Sequence, residues 1–208
     1  MDSLIKIGLF LLGAVFSVIL VPLIEKQKAD FKRKQSYRGL MVELEDIQNE
    51  LSEHIEQHFQ FLLNLRTQTE LVNTGKLPVP MPRKIDIDVL SHFYNESSTI
   101  LTSPQRVAIK RIPSSIEQVM YHSQTGIDSI LDQEIYCVQS TKNTIKLSCK
   151  LVFEINLLRQ EGERFKNRDN LDSNKATAPV LSSLGFTKTQ IETSRIEESM
   201  FNDIGVKI

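Results

Sequence analysis

The chain has 208 residues, with 25 basic and 26 acidic side chains and a formal net charge of −1. This balance argues against a dedicated nucleic-acid-binding domain, which would be clearly basic. With two cysteines, eight glycines, seven prolines and no tryptophan, the composition favours helices over a disulfide framework or a β-rich fold. We therefore expect an all-α protein with room for one domain of about 140 residues.

Residues 1–24 predict a transmembrane anchor. The stretch from Ile7 to Ile24 has no charged side chain and would be about 27 Å long as a helix, close to the hydrocarbon thickness of a bilayer. The alternatives are a buried core helix and a cleaved signal peptide. An uncharged run of this length is unusual in a soluble core, and its downstream edge lacks a small-residue cleavage motif. We therefore prefer an uncleaved single span.

A basic collar, residues 25–38, follows the predicted span. Its cationic side chains are Lys26, Lys28, Lys32, Arg33, Lys34 and Arg38. Because cations beside a span stay on the cytoplasmic side, we expect the N-terminus outside and the C-terminal body in the cytoplasm. The lipid bilayer is thus the first expected partner. These cations would also attract anionic headgroups, although setting the topology is enough to explain them.

Small residues inside the predicted span indicate self-association. Gly13 and Ser17 form a small-xxx-small pair, with Gly8 nearby. Small side chains allow two helix backbones to approach closely in lipid, so we expect a homo-oligomer.

Residues 39–167 are predicted to form a cytoplasmic helical bundle. From Ser36 to about Val72, apolar residues recur every three or four positions, which predicts a long amphipathic helix with an acidic opposite face. Two histidines interrupt its heptad seam, so a helix packed on its own domain fits better than a coiled coil. Nothing between Pro22 and Asn73 forces a break, and the predicted span and this helix are therefore expected to be nearly continuous.

The remaining bundle helices are separated by proline-containing segments. An extended connector with three alternating prolines leads to a short helix predicted over residues 86–101. A further short helix is predicted over 103–110, and Pro113 is predicted to open a long one. After a turn at 140–143, the most apolar helix of the body is expected at the centre of the core. Its alternating stretch, residues 144–158, leaves a strand as the alternative.

The C-terminal part is predicted to be partly flexible. Residues 168–180 are polar and indicate a linker. Residues 181–208 predict an amphipathic helix with Ile196, Met200 and Ile204 at steps of four. This helix could dock on the bundle, pair with another subunit or bind a protein partner.

Two histidines are the nearest approach to a metal site. His54 and His58 are four residues apart on one helix and could share a metal, with a third ligand from Glu50, His92 or His122. No closed ligand set can be assembled from the sequence. We therefore interpret the two histidines as polar residues at the edge of the helix face, and we expect no metal or cofactor.

Other reactive side chains have ordinary structural interpretations. Asp86 and Asp88 are interpreted as a helix cap. The cations Arg106, Lys110 and Arg111 are interpreted as a solvated face. The two cysteines, Cys137 and Cys149, lie among apolar residues and are interpreted as small hydrophobes that stay reduced in the cytoplasm.

The sequence contains no nucleotide-binding loop, nucleophile elbow or kinase signature. We therefore predict a non-enzymatic protein: a single-pass membrane-anchored interaction or scaffold module that self-associates. The alternative is a membrane effector whose spans assemble into a pore when the bundle receives a signal. An enzyme with an unrecognised site is the third hypothesis, and its candidate residues are Asp88, Arg106 and His122.

Overall fold

The computed structural model describes residues 2–67, 79–80, 84–131, 138–166 and 172–197, without the side chains of residues 2–12, 14, 66 and 129–131. The helices are α1 (Asp2–Thr67), α2 (Leu90–Ser97), α3 (Ser103–Leu131), α4 (Val138–Glu161), α5 (Ser173–Ser183) and α6 (Lys188–Ser194), with a 3₁₀ turn at Gly162–Arg164. Over these ranges every regular element is helical, which confirms the all-α prediction and a helical bundle.

Helix α1 is one uninterrupted helix of 66 residues, about 100 Å long, as the sequence predicted. It contains Pro22, which lacks an N–H and so removes one bond from the ladder without ending the helix. Its two halves differ in their surroundings. Every described side chain before Ser36 is exposed. After Ser36, one face is buried at steps of three and four residues, formed by Leu40, Leu44, Ile47, Leu51, Ile55, Phe59 and Leu62.

Helices α2, α4 and α6 pack on this second half of α1. Helix α2 runs antiparallel to it, because the Asp86 N–H lies 3.1 Å from the Glu50 carboxylate while Glu96 lies beside Ser36. Helix α4 is antiparallel as well. Its last turn is tied to α1 by Arg159, whose Nη2 lies 2.6 Å from Glu45 Oε2. Helix α3 packs on α4 and contacts α1 at Ser123, which lies beside His58.

Helix α4 is the centre of the core, as predicted, and it is a helix rather than a strand. It packs against α1, α3 and α5. The turn predicted at residues 140–143 is wrong, because α4 already begins at Val138. The polar residues there are accommodated inside the helix: the Thr144 hydroxyl is buried and donates to the Ser140 carbonyl at 2.9 Å.

Two predicted helix boundaries are also wrong. The helix predicted over 86–101 is reduced to α2, because Asp86 and Asp88 form a turn in which the Asp88 N–H donates to Asp86 Oδ1 at 2.9 Å. Asp86 therefore caps this turn, and α2 starts beyond it. Pro113 opens no new helix but lies inside α3. Pro113 has no N–H and so removes one backbone hydrogen bond from α3. The burial of the apolar face that continues past Pro113, from Ile109 to Ile116, offsets this loss.

The predicted linker 168–180 is helical from Ser173 onwards. Asp172 caps α5 by accepting a hydrogen bond from the Asn174 N–H at 3.0 Å, and the apolar side of the helix, including Val180, is buried in the core. Helix α6 starts with a capping box and ends at Arg195, which has a left-handed φ of 51°. The amphipathic helix predicted over 181–208 is thus two short helices up to residue 194, and residues 198–208 lie outside the described part of the chain.

Two glycines give a matched test of the helix packing. A Cβ at Gly39 would lie 2.5 to 2.9 Å from ring atoms of Phe93, whereas a Cβ at Gly126 would have no neighbour closer than 3.7 Å. Alanine is favoured over glycine inside a helix by about 1 kcal/mol. We therefore expect Gly126→Ala to raise the free energy of unfolding by about 0.5–1 kcal/mol. Gly39→Ala should lower it by about 1 kcal/mol, because overpacking outweighs the propensity gain.

The measurement is urea unfolding of the full chain in detergent, followed by circular dichroism. A Gly39→Ala variant that is as stable as Gly126→Ala would contradict the close contact between α1 and α2.

Candidate membrane-contacting helix and buried histidine pair

The first half of α1 carries large apolar side chains without cover. These side chains are between 46% and 74% exposed, and they belong to Val15, Phe16, Val18, Ile19, Leu20, Val21, Leu23 and Ile24. At 3.6 residues per turn, these positions occupy the whole circumference of the helix. A helix that lies on a surface has only one apolar stripe. This segment is therefore apolar on all sides, like a helix that is surrounded by an apolar phase.

Among the described residues, no helix has an apolar stretch long enough to cross a membrane. Residues 1–12 and Ala14, which include Gly8 and about half of the predicted span, lie outside the side chains that the structure describes. The transmembrane anchor therefore stays a prediction.

The small-residue pair in α1 faces open space. Among the residues that the structure describes, no atom of another element lies within 4 Å of a Cβ built at Gly13. The Ser17 hydroxyl donates to the Gly13 carbonyl at 2.8 Å, so its hydrogen bond is made within the helix. No described element packs on this face, and self-association through it stays a prediction.

The cations of the collar fall into two groups. Lys32 Nζ lies 2.7 Å from Glu96 Oε1, and Arg33 Nη1 lies 3.4 Å from Asp30 Oδ1. The other four cations, Lys26, Lys28, Lys34 and Arg38, are exposed. Sequence reasoning could not rank them, since all six are similar in charge and spacing.

Glu96 joins the collar to the bundle, and sequence reasoning missed it. Its second carboxylate oxygen accepts a hydrogen bond from the Ser36 hydroxyl at 2.6 Å. Hydrogen bonds from Lys32 and Ser36 hold the pKa of Glu96 below its ordinary value. This contact sets the point at which α1 enters the folded body, but its partners are about sixty positions apart in the sequence, where no local pattern connects them.

His54 and His58 are in the core, so their prediction as edge residues is wrong. Both are nearly fully buried, and their Nε2 atoms lie 3.1 Å apart. The Ser123 hydroxyl of α3 lies 3.1 Å from His58 Nε2. A neutral imidazole can enter the core here because its Nε2 atom meets a polar partner.

The pair leaves two buried nitrogens without a partner in the described part of the chain, namely the two Nδ1 atoms. A neutral imidazole has one N–H, and only one ring can place its proton in the bond between the Nε2 atoms. The other ring then carries its proton on Nδ1, where it finds no acceptor. An unsatisfied buried donor costs about 1–3 kcal/mol, so this layer is a weak point of the bundle.

The histidine pair differs in this respect from Thr144, although Gln139 Oε1 and Ser148 Oγ of α4 are also buried without a partner in the described part of the chain. In α4, a buried hydroxyl such as that of Thr144 bonds to a carbonyl of its own helix and needs no partner from elsewhere. The two imidazoles have no such local solution, and a fully apolar layer would be more stable at this depth. The bond between His58 and Ser123 does, however, connect one turn of α1 to one particular turn of α3. We infer that it helps to fix their register.

These residues do not fit a metal. Among the described residues, no group of three His, Cys, Asp or Glu side chains lies close enough to share an ion. The predicted third ligands are occupied elsewhere: Glu50 accepts from the Asp86 N–H, His92 lies 3.9 Å from Glu96, and the His122 ring stacks edge-on against Tyr121. Metal-bound histidines also donate their second N–H to a partner, which neither Nδ1 atom has here.

The other candidate residues have packing roles. Arg106 donates to the carbonyls of Ser98 and Leu101, at 3.3 and 3.0 Å, and so closes the turn before α3. Lys110 Nζ lies 5.8 Å from the centre of the Tyr94 ring, a cation–π contact. Arg111 lies beside a shallow pocket of about 110 Å³.

The structure describes only one of the two cysteines. Cys149 is fully buried in α4, and burial raises the pKa of its thiol to about 12, so it stays a protonated and unreactive side chain. Cys137 lies outside the described residues.

No protein-family model matches the chain, and neither a curated protein nor a solved structure shows significant similarity to it. Its function must therefore be inferred from its own residues.

The histidine pair predicts that the bundle is sensitive to mild acid. Burial lowers the pKa of His54 from 6.5 to about 4; burial and the charge of His54 lower that of His58 to about 3. Below about pH 6.5 the two histidines therefore bind protons in the unfolded chain but stay neutral in the folded chain. The free energy of unfolding falls as the pH falls for this reason. Between pH 7 and pH 5, we expect the pair to reduce the free energy of unfolding by about 3–4 kcal/mol.

The measurement is urea unfolding of the full chain in detergent at both pH values. The double variant His54→Gln/His58→Gln keeps polar side chains without titrating in this range, and it should lose much less stability. If both proteins respond equally to pH, the histidines are not the cause.

Proposed function

We propose that this protein is a single-pass membrane-anchored helical module that acts without catalysis, through interactions of its cytoplasmic bundle. The observation that carries the proposal is the uncovered apolar surface from Val15 to Ile24, on a helix that continues without a break into the folded body. The uncharged run that starts at Ile7 extends this surface toward the N-terminus.

The energetic argument supports a bilayer as the environment of this segment. Burying a large apolar side chain is worth about 1.5–3 kcal/mol. Leaving eight such side chains about half exposed to water would therefore forgo on the order of 10 kcal/mol, as much as the net stability of an ordinary domain. A helix also satisfies its own backbone hydrogen bonds, as a segment in hydrocarbon must.

The charge distribution supports the orientation. The six cations of the collar follow the apolar segment directly, which favours a cytoplasmic location for everything after it. No Lys or Arg occurs between Arg38 and Arg66, so the acidic face of α1 begins only beyond the collar. This order keeps the carboxylates away from an anionic membrane surface.

The body offers a surface for a protein partner. A groove of about 630 Å³ between α5 and α6 is lined by apolar, polar and charged side chains, among them Ile191, Ser182 and Arg195. We propose that a partner protein binds the bundle at this C-terminal end. The candidate residues of the enzyme hypothesis give no comparable support, because the Arg106 guanidinium binds the Ser98 and Leu101 carbonyls and Asp88 is exposed.

The absence of tryptophan from the sequence allows a direct test of the membrane anchor. In the Phe16→Trp variant, a single indole reports on the apolar segment. We expect blue-shifted emission and strong quenching by brominated acyl chains in phosphatidylcholine vesicles, because the side chain lies in hydrocarbon. The matched control is Tyr121→Trp, which places the indole at an exposed position of α3. Its emission should stay red-shifted and unquenched. Equal quenching of the two variants, or of neither, would contradict the anchor.

We also propose that the spans self-associate through the face that carries Gly13 and Ser17. Its support is the open space around Gly13, where a second backbone can approach. Gly13→Leu should shift the full chain in detergent to a smaller species in light scattering, because the added side chain separates the helices. Ile19→Leu, on another side of the helix, is the control and should leave the mass unchanged. A monomeric parent protein would exclude self-association.

The same preparation separates a scaffold from a pore-forming effector. A scaffold leaves the potassium permeability of reconstituted vesicles unchanged. If the parent protein makes the vesicles permeable to potassium and the Gly13→Leu variant does not, the result would contradict the scaffold function and support the effector function.

A further inference from the structure

The four exposed cations of the collar are available to a ligand. Lys32 is engaged by Glu96 and Arg33 by Asp30. Within the part of the chain that the structure describes, none of the other four cations forms an ion pair. Lys26, Lys28 and Lys34 stand on a section of α1 in which every residue from 25 to 35 is exposed, and Arg38 is exposed just beyond the first buried residue, Ser36.

The four cations differ in where they stand around the helix. Residues two positions apart on an α-helix point in nearly opposite directions, so Lys26 and Lys28 lie on opposite sides of α1. By the same geometry, Lys34 and Arg38 both lie on the side opposite Ser36, where α2 does not cover them. Cations on opposite sides, such as Lys26 and Lys28, suit a helix that passes through a charged plane, whereas a long polyanion that binds beside a helix needs one basic face.

Their distances from the apolar segment differ. At about 1.5 Å per residue, Lys26 and Lys28 lie about 3 and 6 Å beyond Ile24, within the headgroup layer of a bilayer. Lys34 and Arg38 lie about 15 and 21 Å beyond it, where screening by salt over about 8–10 Å weakens their attraction. Phe31 is 70% exposed and lies between the two pairs. Aromatic side chains are favoured at the interface between membrane and water.

We propose that the collar binds the headgroups of anionic phospholipids, with Lys26 and Lys28 in direct contact and with Lys34 and Arg38 acting only at long range. The inference rests on the proposed membrane anchor and names the lipid class that this anchor selects. Charge complementarity and continuity with the apolar segment favour a lipid surface over an acidic protein or a nucleic acid, since the acidic face of α1 begins immediately above the collar.

The test uses one indole at the inner end of the apolar segment. The Ile24→Trp variant of the full chain is reconstituted in vesicles that contain phosphatidylcholine and phosphatidylserine at about 7:3 in every sample. The bromine label is placed either on the phosphatidylcholine or on the phosphatidylserine. The ratio of the two quenching efficiencies, corrected for mole fraction, gives the enrichment of the anionic lipid beside residue 24.

We expect an enrichment of about two- to fivefold that approaches one at about 0.5 M salt. Lys26→Gln/Lys28→Gln should bring the ratio close to one. Lys34→Gln/Arg38→Gln removes the same charge at a greater distance and should leave most of the enrichment. Lys32 is left unchanged in both variants because it holds Glu96.

A ratio near one in the Ile24→Trp protein with its collar intact would overturn the proposal and leave the cations with the role of setting the orientation. Equal losses in the two double variants would overturn the direct contact of Lys26 and Lys28. If the indole at position 24 is quenched equally by both labelled lipids after correction for mole fraction, only the lipid selection fails. If neither this indole nor that of the Phe16→Trp variant is quenched, the membrane anchor itself fails.

Discussion

The continuity of α1 is the constraint on which the rest of the structure depends. One hydrogen-bond ladder joins a segment that is apolar on all sides to a segment that is apolar on one side only. The apolar face of the second segment is buried within the chain, because α2, α4 and α6 pack against it. No described element covers the first segment. A rigid helix cannot fold back onto the bundle to bury this apolar surface, and the bilayer that we propose would cover it.

This constraint explains the arrangement at the junction between the two halves. The contact of Glu96 with Lys32 and Ser36 fixes where the helix enters the body, and the close approach of Gly39 to Phe93 brings α2 against it directly afterwards. At the same end, Arg159 connects the last turn of α4 to Glu45 and to Gln48. The bundle is thus attached to α1 at the C-terminal end of the collar. The exposed residues 25–35 separate it from the apolar segment.

The sequence by itself determined the features that depend on local periodicity. The helical class, the unbroken α1, its buried face and the central position of α4 all follow from apolar residues at steps of three and four, which a helix places on one side. The apolar character of residues 7–24 and the cations beyond them are equally local. They predict a membrane anchor before any contact is known.

Only the tertiary structure decided the features that depend on distant partners. Pro113 and the polar stretch at Ser173 look like breaks, yet helices run through or begin at them because their apolar neighbours are buried by other elements. Likewise, the burial of the histidine pair depends on Ser123, and the division of the collar cations depends on Glu96. These partners are about sixty residues away in the chain. A contact of that separation is set by the packing of whole helices, which a local pattern does not encode.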